Sequence, residues 1–402
     1  MLRKSLFFMG IGLLLSWSGA AFAQTSGADR VGNQLLTGQN ASKANAGTVT
    51  IMTTRNLGSP FMQMTLDLST LLDAGEHFED MRVVLMGARG KVQNLWDIMY
   101  LKGVDAAFVQ ADTLEYLKKD PRYASKFASV RRNVRYVAVM PPEEVHIVAR
   151  REIRSLRDLA GKTVSINAKG TGSSVVGTLL FERLKIPARL IHLDTRRAIA
   201  QMKAGEIHAH INVLGVPARP VARVKSEGQL HLLEIPYSTE LGDLYVPSKF
   251  TSEDYPELVP EGQAIRTIAA RNVLAVYNWP QDHPRYRKVA RFVEALFSRF
   301  GELQQKGYHP KWKDINLAAT IPGWTRFGAA QRWLDENRPA AVASSVGARP
   351  TSALSRQETE VREQLRAFLE AQQRREPKEA EVNELFKQFI QWRDQNDSPG
   401  TQ

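Results

Sequence analysis

Cysteine is absent from all 402 residues. Its absence excludes disulfides, thiolate metal sites and thiol catalysis, and with them a lipid anchor on an N-terminal cysteine. Long hydrophobic runs are missing too. The apolar stretch at 6–17 is shorter than the roughly 18 residues a membrane-spanning helix needs, and no later run qualifies. With Arg3 and Lys4 before it and Ala21-Phe22-Ala23 after it, that stretch has the layout of a secretory signal, cleaved after Ala23. An exported chain without an anchor is expected in a periplasm. Acidic surplus is lacking as well, since the net charge is +12. The basic residues are scattered, as at Arg131, Arg132, Arg150, Arg151, Arg196 and Arg197. They form no aromatic-laced stripe, so a nucleic-acid partner is not expected. A basic surface that gathers anionic solutes fits better.

Catalytic and cofactor motifs are also missing. No G-x-S-x-G elbow presents a serine nucleophile. The G-x-G at Gly170–Gly172 has its next glycine at Gly177, off the dinucleotide spacing. Gly87-x-x-Gly90-Lys91 lacks the Walker spacing. Neither an enzyme nor a cofactor is expected. His208 and His210 share one strand face, where they are either a metal-chelating pair with Glu206 or a half-buried face. No third ligand at helical spacing supports the metal, and none is expected.

Strand-like and helix-like stretches alternate through the body, residues 48–335. TVTIMTT (48–54), MRVVLMG (81–87), VDAAFVQ (104–110), VRYVAVM (134–140), EVHIVAR (144–150), KTVSINA (162–168), RLIHL (189–193) and IHAHINV (207–213) read as strands. Helices are expected at 61–72, with Phe61, Met64, Leu68, Leu71 and Leu72 on one face, and at 92–100, 175–184 and 195–204. Asp112 and Ser155 are placed as helix caps. The alternation implies an α/β fold with mostly parallel sheets. In such sheets ligands sit beyond the strand carboxyl ends. Four loops fall there: Thr53-Thr54-Arg55-Asn56, Gln110 to Asp112, Thr171-Gly172-Ser173-Ser174, and Leu214 to Pro217.

The third loop is the most suggestive. A strand, the small residues Lys169 to Ser174, and an apolar helix together offer free N–H groups, hydroxyls and a partial positive charge. The arrangement is either an anion site or an ordinary βα turn. Polar residues 24–47 read as a flexible leader, and Pro339 with 340–353 as a linker. Two amphipathic helices are expected beyond it, the first opened by a Ser355–Glu358 capping box.

Several of these stretches carry a family likeness. They are QNLWDIMYLKGVDAAFVQADTLEYLK (93–118), Glu144 to Val148, SLRDLAGKTVSINAKGTGSS (155–174), NVLAVYNWP (272–280), YRKVARFVEALFSRF (286–300) and HPKWKDINLAATIPGW (309–324). In these the chain resembles the TAXI family of solute-binding proteins that serve TRAP transporters, in its α-proteobacterial-type branch. The resemblance implies a type II periplasmic-binding-protein fold: lobe one at 48–140 plus 245–335, lobe two at 141–244, and the ligand between them. It implies a small organic anion (a dicarboxylate, keto acid or acidic amino acid) and an integral-membrane TRAP permease with fused subunits as partner. The implied state is a monomer. Linker 336–353 and the extension 354–402 lie outside the lobes.

One loop departs from the family pattern. A glycine-rich stretch with an aromatic residue is usual there, but this chain reads Thr53-Thr54-Arg55-Asn56-Leu57-Gly58-Ser59-Pro60-Phe61. Arg55 either clamps a carboxylate or points to solvent. On this reading Thr53, Thr54, Arg55, Asn56, Gln110 and Asp112 line one lobe. Thr171, Gly172, Ser173 and Ser174 face them, with Glu144 beside them and Asn212 and Tyr237 at the rim. Glu144 either orients the ligand or pairs with His146. Two other roles stay open: a sensor or adaptor subunit acting through the C-terminal helices, and an ABC-linked binding protein.

Overall fold

The computed structural model describes residues 47–54, 59–73, 81–224 and 229–337. The expected signal, leader, most of the linker and the C-terminal helices lie outside them, as do Arg55 and Asn56. No helix of the described residues is long and apolar enough to cross a membrane.

The first half follows the expected alternation. Strand β1 (Thr48–Thr54) leads to helix α1 (Pro60–Asp73), whose Phe61, Met64, Leu68, Leu71 and Leu72 are buried along the predicted face. Next come β2 (Arg82–Ala88), α2 (Lys91–Tyr100), β3 (Ala106–Gln110), α3 (Thr113–Lys119) and α4 (Ala124–Asn133). Strand β1 pairs in parallel with β2 and β3, and β2 is the edge.

The second half repeats the scheme. A 3-10 turn at Leu156–Leu159 precedes β5 (Thr163–Ser165). Asp158 accepts hydrogen bonds from the Arg154 and Ser155 backbone N–H groups, and Gly161 (φ 71°) takes the left-handed conformation that ends the turn. Helix α5 (Gly172–Arg183), β6 (Arg189–Ile191), α6 (Thr195–Lys203), β7 (Ala209–Leu214), α7 (Arg219–Ala222), β8 (Leu230–Leu232) and β9 (Tyr245–Thr251) follow. Strand β5 pairs in parallel with β6 and β7.

Two long antiparallel strands join the halves. Strand β4 (Val134–Arg150) pairs with β10 (Ala264–Tyr277) and then with β7. The main sheet runs β2-β1-β3-β10-β4-β7-β5-β6, with β8 on β4 and β9 on β10. At about 3.3 Å per residue, β4 spans about 56 Å, enough to cross both halves. The expected pair of strands at 134–140 and 144–150 is therefore one strand. Pro141 and Pro142 donate no hydrogen bond, but they lie where the β10 register shifts between Ala270 and Asn272. The sheet is less parallel than expected, because β10 runs against β3, β4 and β9. Two α/β halves joined by crossing strands form the type II periplasmic-binding-protein arrangement.

Helices α8 (Pro284–Ser298), α9 (Phe300–Leu303) and α10 (Gly328–Glu336) complete the first half. Phe292, Leu296 and Phe327 pack with α1 and β1 in one core, while Val145, Ile147, Val164 and Ile211 anchor the second. The lobe boundaries differ from expectation. Tyr245, Phe250, Tyr255 and Ile268, expected in lobe one, are buried in the cores of the second half. The reason is that β9 pairs with β10 before β10 crosses.

Candidate functional site

The described residues of the four predicted loops lie at the junction of the halves, but their polar groups are not equally available. Gly90, before α2, lies against the Gly170 loop so closely that a Cβ there would stand 2.5 Å from the Gly170 carbonyl. Val92 N–H donates to that same carbonyl at 3.2 Å. Gly172 is packed on Gln110, whose Nε2 lies 3.5 Å from the Gly172 carbonyl.

Within this loop the expected hydroxyls are already engaged. Helix α5 starts at Gly172, three residues earlier than its apolar pattern suggests, with Thr171 as N-cap accepting from Ser174 N–H at 3.2 Å. Ser174 Oγ donates back to the Thr171 carbonyl. Ser173 Oγ accepts from Val213 N–H at 2.9 Å and is buried. A bulky acid at position 173 would therefore break the α5–β7 packing.

On the facing side, Thr53 and Gln110 are fully buried, and Thr53 Oγ1 and Gln110 Oε1 have no hydrogen-bond partner. Thr54 is partly buried at the end of β1. Asp112 does not cap α3 with its side chain. Its carboxylate instead accepts from Gln110 Nε2 (2.7 Å) and the Tyr245 hydroxyl (3.0 Å). Burial pushes its pKa up to about 6, against the lowering effect of those two donors. Tyr237 is 46% exposed and lies outside the lining of the cleft described next.

The large open space lies beside this closed loop. A cleft of about 1290 Å³ runs between the halves, walled by Ser59, Pro60 and Lys311 from the first and by α6, the loop after β7 and α7 from the second. Among the described residues its charged lining is six cations (Arg196, Arg197, Lys203, Arg219, Arg223 and Lys311) against Glu143 and Asp194. Asp194 is committed to capping α6, accepting from Arg197 N–H at 3.1 Å. Glu143 is paired with Lys91 at 3.3 Å, and the same ammonium lies 4.1 Å from the Phe61 ring centroid. The net character of the wall is thus cationic.

Buried side chains hold these walls in place. Thr195 Oγ1, in the lining, meets Asn212 Oδ1 at 3.1 Å and His210 Nε2 at 3.2 Å. Asn212 also accepts from Asn167 Nδ2 at 2.8 Å, so it supports the wall from behind. Burial lowers the His210 pKa to about 4, leaving it a neutral spacer against Ser165. Further along, Gly215 is pressed against Pro60 and Lys311. Ala218 N–H donates to the Tyr255 hydroxyl, which bonds His146 Nε2, each at 2.7 Å.

His146 Nδ1 reaches the Glu144 carbonyl at 3.0 Å rather than its carboxylate. Burial lowers the His146 pKa to about 4, so the expected Glu144–His146 ion pair does not form. Burial raises the Glu144 pKa, partly offset by Lys311, and its Oε2 has no partner. Among the described residues no cluster of three or more His, Asp or Glu could hold a metal.

The cleft cations were missed in sequence because Arg196 and Arg197 read as scattered charge. The strand-end rule applied to β6 would have found them, since they open the helix that follows it.

The model of the NMT1-like family matches residues 52–325. The chain belongs to the NMT1-like family. Membership covers both halves of the sheet and the whole lining of the cleft. Among solved structures, the periplasmic aliphatic sulphonate binding protein SsuA from Escherichia coli is similar at 14% identity and TM-score 0.40, covering 84% of this chain and 96% of that one. SsuA from Xanthomonas axonopodis pv. citri, bound to MOPS, is 16% identical with TM-score 0.36, covering 83% and 95%. The amino acid ABC transporter substrate-binding protein AbpA from Streptococcus pneumoniae Canada MDR_19A, bound to L-arginine, is 13% identical with TM-score 0.35, covering 68% and 98%. At these scores the likenesses decide nothing, and the fold rests on the sheet order.

Proposed function

We propose that this NMT1-like protein is an extracytoplasmic solute-binding protein that captures an organic anion in the cleft between its halves and delivers it to a membrane permease. The observation that carries this reading is the cationic cleft, with six basic side chains against two already-engaged acids among the described residues. Clefts of one sign between low-dielectric walls raise the local concentration of the opposite ion. The crossing strands β4 and β10 suit closure of two halves on a ligand, which shifts an open–closed equilibrium. No step in this role is catalytic. The expected export signal agrees with a periplasmic location. The finer assignment, a TRAP-type permease as partner, rests on the TAXI-like stretches.

A thermal-shift screen of organic acids tests the reading. A ligand at a thousand times its dissociation constant adds about 4 kcal/mol of stability, seen as a raised melting temperature. A cooperatively folded sample that responds to no acid would overturn it. Cross-linking in the parent cell tests the partner: a fused-subunit TRAP permease is expected, and an ABC permease would replace that part of the proposal.

A further inference from the structure

The cleft is large for a short diacid. Its volume of about 1290 Å³ exceeds the roughly 300–1,000 Å³ of pockets that enclose drug-sized molecules. Its cations are dispersed over separate elements. Arg196 is near the start of α6 and Lys203 at its end, a rise of about 10 Å along the helix. Arg219 and Arg223 bracket α7, and Lys311 comes from the opposite half. Arg196, Arg219, Arg223 and Lys311 make no ion pair among the described residues.

Apolar surface lies among these charges. Ile199 falls between Arg197 and Lys203 on α6, and Val216 and Pro217 precede Arg219. Pro60 and Pro310 face them from the first half. A compact dianion would meet one group of cations and leave the apolar wall wet. Resting on the solute-binding reading above, we infer that the ligand is an amphipathic dianion, with two acidic groups held apart by an extended apolar body. Each methylene buried against the wall is worth about a fourfold gain in affinity. A second acidic head against an unpaired guanidinium is worth at least about tenfold.

Calorimetric titration of the full chain with dodecanedioate, succinate and dodecanoate tests this. Dodecanedioate is expected to bind at least about 100-fold tighter than succinate and about tenfold tighter than dodecanoate. Added salt should shrink the advantage over dodecanoate. The double substitution Arg219→Gln with Arg223→Gln should abolish that advantage while the far-ultraviolet circular dichroism stays unchanged. Succinate binding as tightly as dodecanedioate overturns the extended body and leaves the organic-anion reading standing. Dodecanoate binding as tightly as dodecanedioate overturns the second head. Heat from none of the three overturns the inference, and the wider acid screen then decides separately whether the binding reading survives.

Discussion

Two surfaces face the space between the halves, and they differ in what their polar groups already do. In the Gly170–Ser174 loop, Thr171 and Ser174 bond each other, Ser173 holds Val213, and the Gly170 carbonyl receives Val92 across the cleft. Along α6, α7 and the loop after β7, Asp194 is engaged as a cap while Arg196, Arg219 and Arg223 line open space. The loop has the small residues and hydroxyls associated with anion binding, yet its hydroxyls serve the fold. The basic wall has an ordinary sequence and an extraordinary surplus of charge. Composition therefore identifies a chemistry, but availability decides a site.

The sharpest way to break this comparison is to reverse the charge of the wall. Arg196→Glu with Arg219→Glu should weaken binding of any acid found in the screen by about 100-fold or more, through lost charge-assisted hydrogen bonds and new repulsion. The melting temperature without ligand should hardly move, because Arg196 and Arg219 are not buried in either core. Retained affinity in calorimetry would move the site away from the wall.

Asp112 tests the facing side. Its folded pKa of about 6 lies above the unfolded value of 3.8. Its contribution to stability is therefore full below about pH 4, lost as pH rises to about 6, and absent above that. His146 and His210, lowered to about 4 from 6.5, act in the opposite sense, costing stability as pH falls from about 6.5 to 4. Replacing Asp112 by Asn removes only the first trend. The variant should gain on the order of 2 kcal/mol relative to the parent between pH 4 and pH 8, read from urea midpoints. An equal difference at both pH values would mean that Asp112 titrates normally.

The smallest effect sharpens the comparison most directly. Ser173→Ala leaves Val213 N–H without its acceptor in a buried place, which should cost about 1–2 kcal/mol of stability. Affinity for the acid should stay within about twofold, since the hydroxyl serves β7. Unchanged stability with a large loss of affinity would return the loop to the binding site.

Most of the alternation was readable before the structure, as α1 illustrates. Its five apolar positions recur at helical spacing because a single face meets β1, and local periodicity carries that information. Strand β4 was read as two because Pro141 and Pro142 look like a break, and only a partner strand with a shifted register shows that they are tolerated. Lobe membership at Tyr245, Phe250 and Tyr255 was misplaced for a related reason. Chain order says nothing about which core a crossing hairpin joins.

The candidate site divides in the same way. That Thr53, Gln110 and Leu214 lie at strand ends, with Thr171 at the helix start that follows β5, is legible in sequence, because an α/β sheet presents its strand ends on one side. Whether each group there is free depends on non-local partners. Asp112 meets Tyr245 across 133 positions of chain, and Ser173 meets Val213 across 40. Sequence alone determined the α/β alternation, the absence of thiol chemistry and the basic balance, each a property of local pattern or composition. Tertiary structure alone decided which cations line the cleft, which hydroxyls are spent and where the halves exchange strands, because those depend on residues far apart in the chain being brought within a few ångströms.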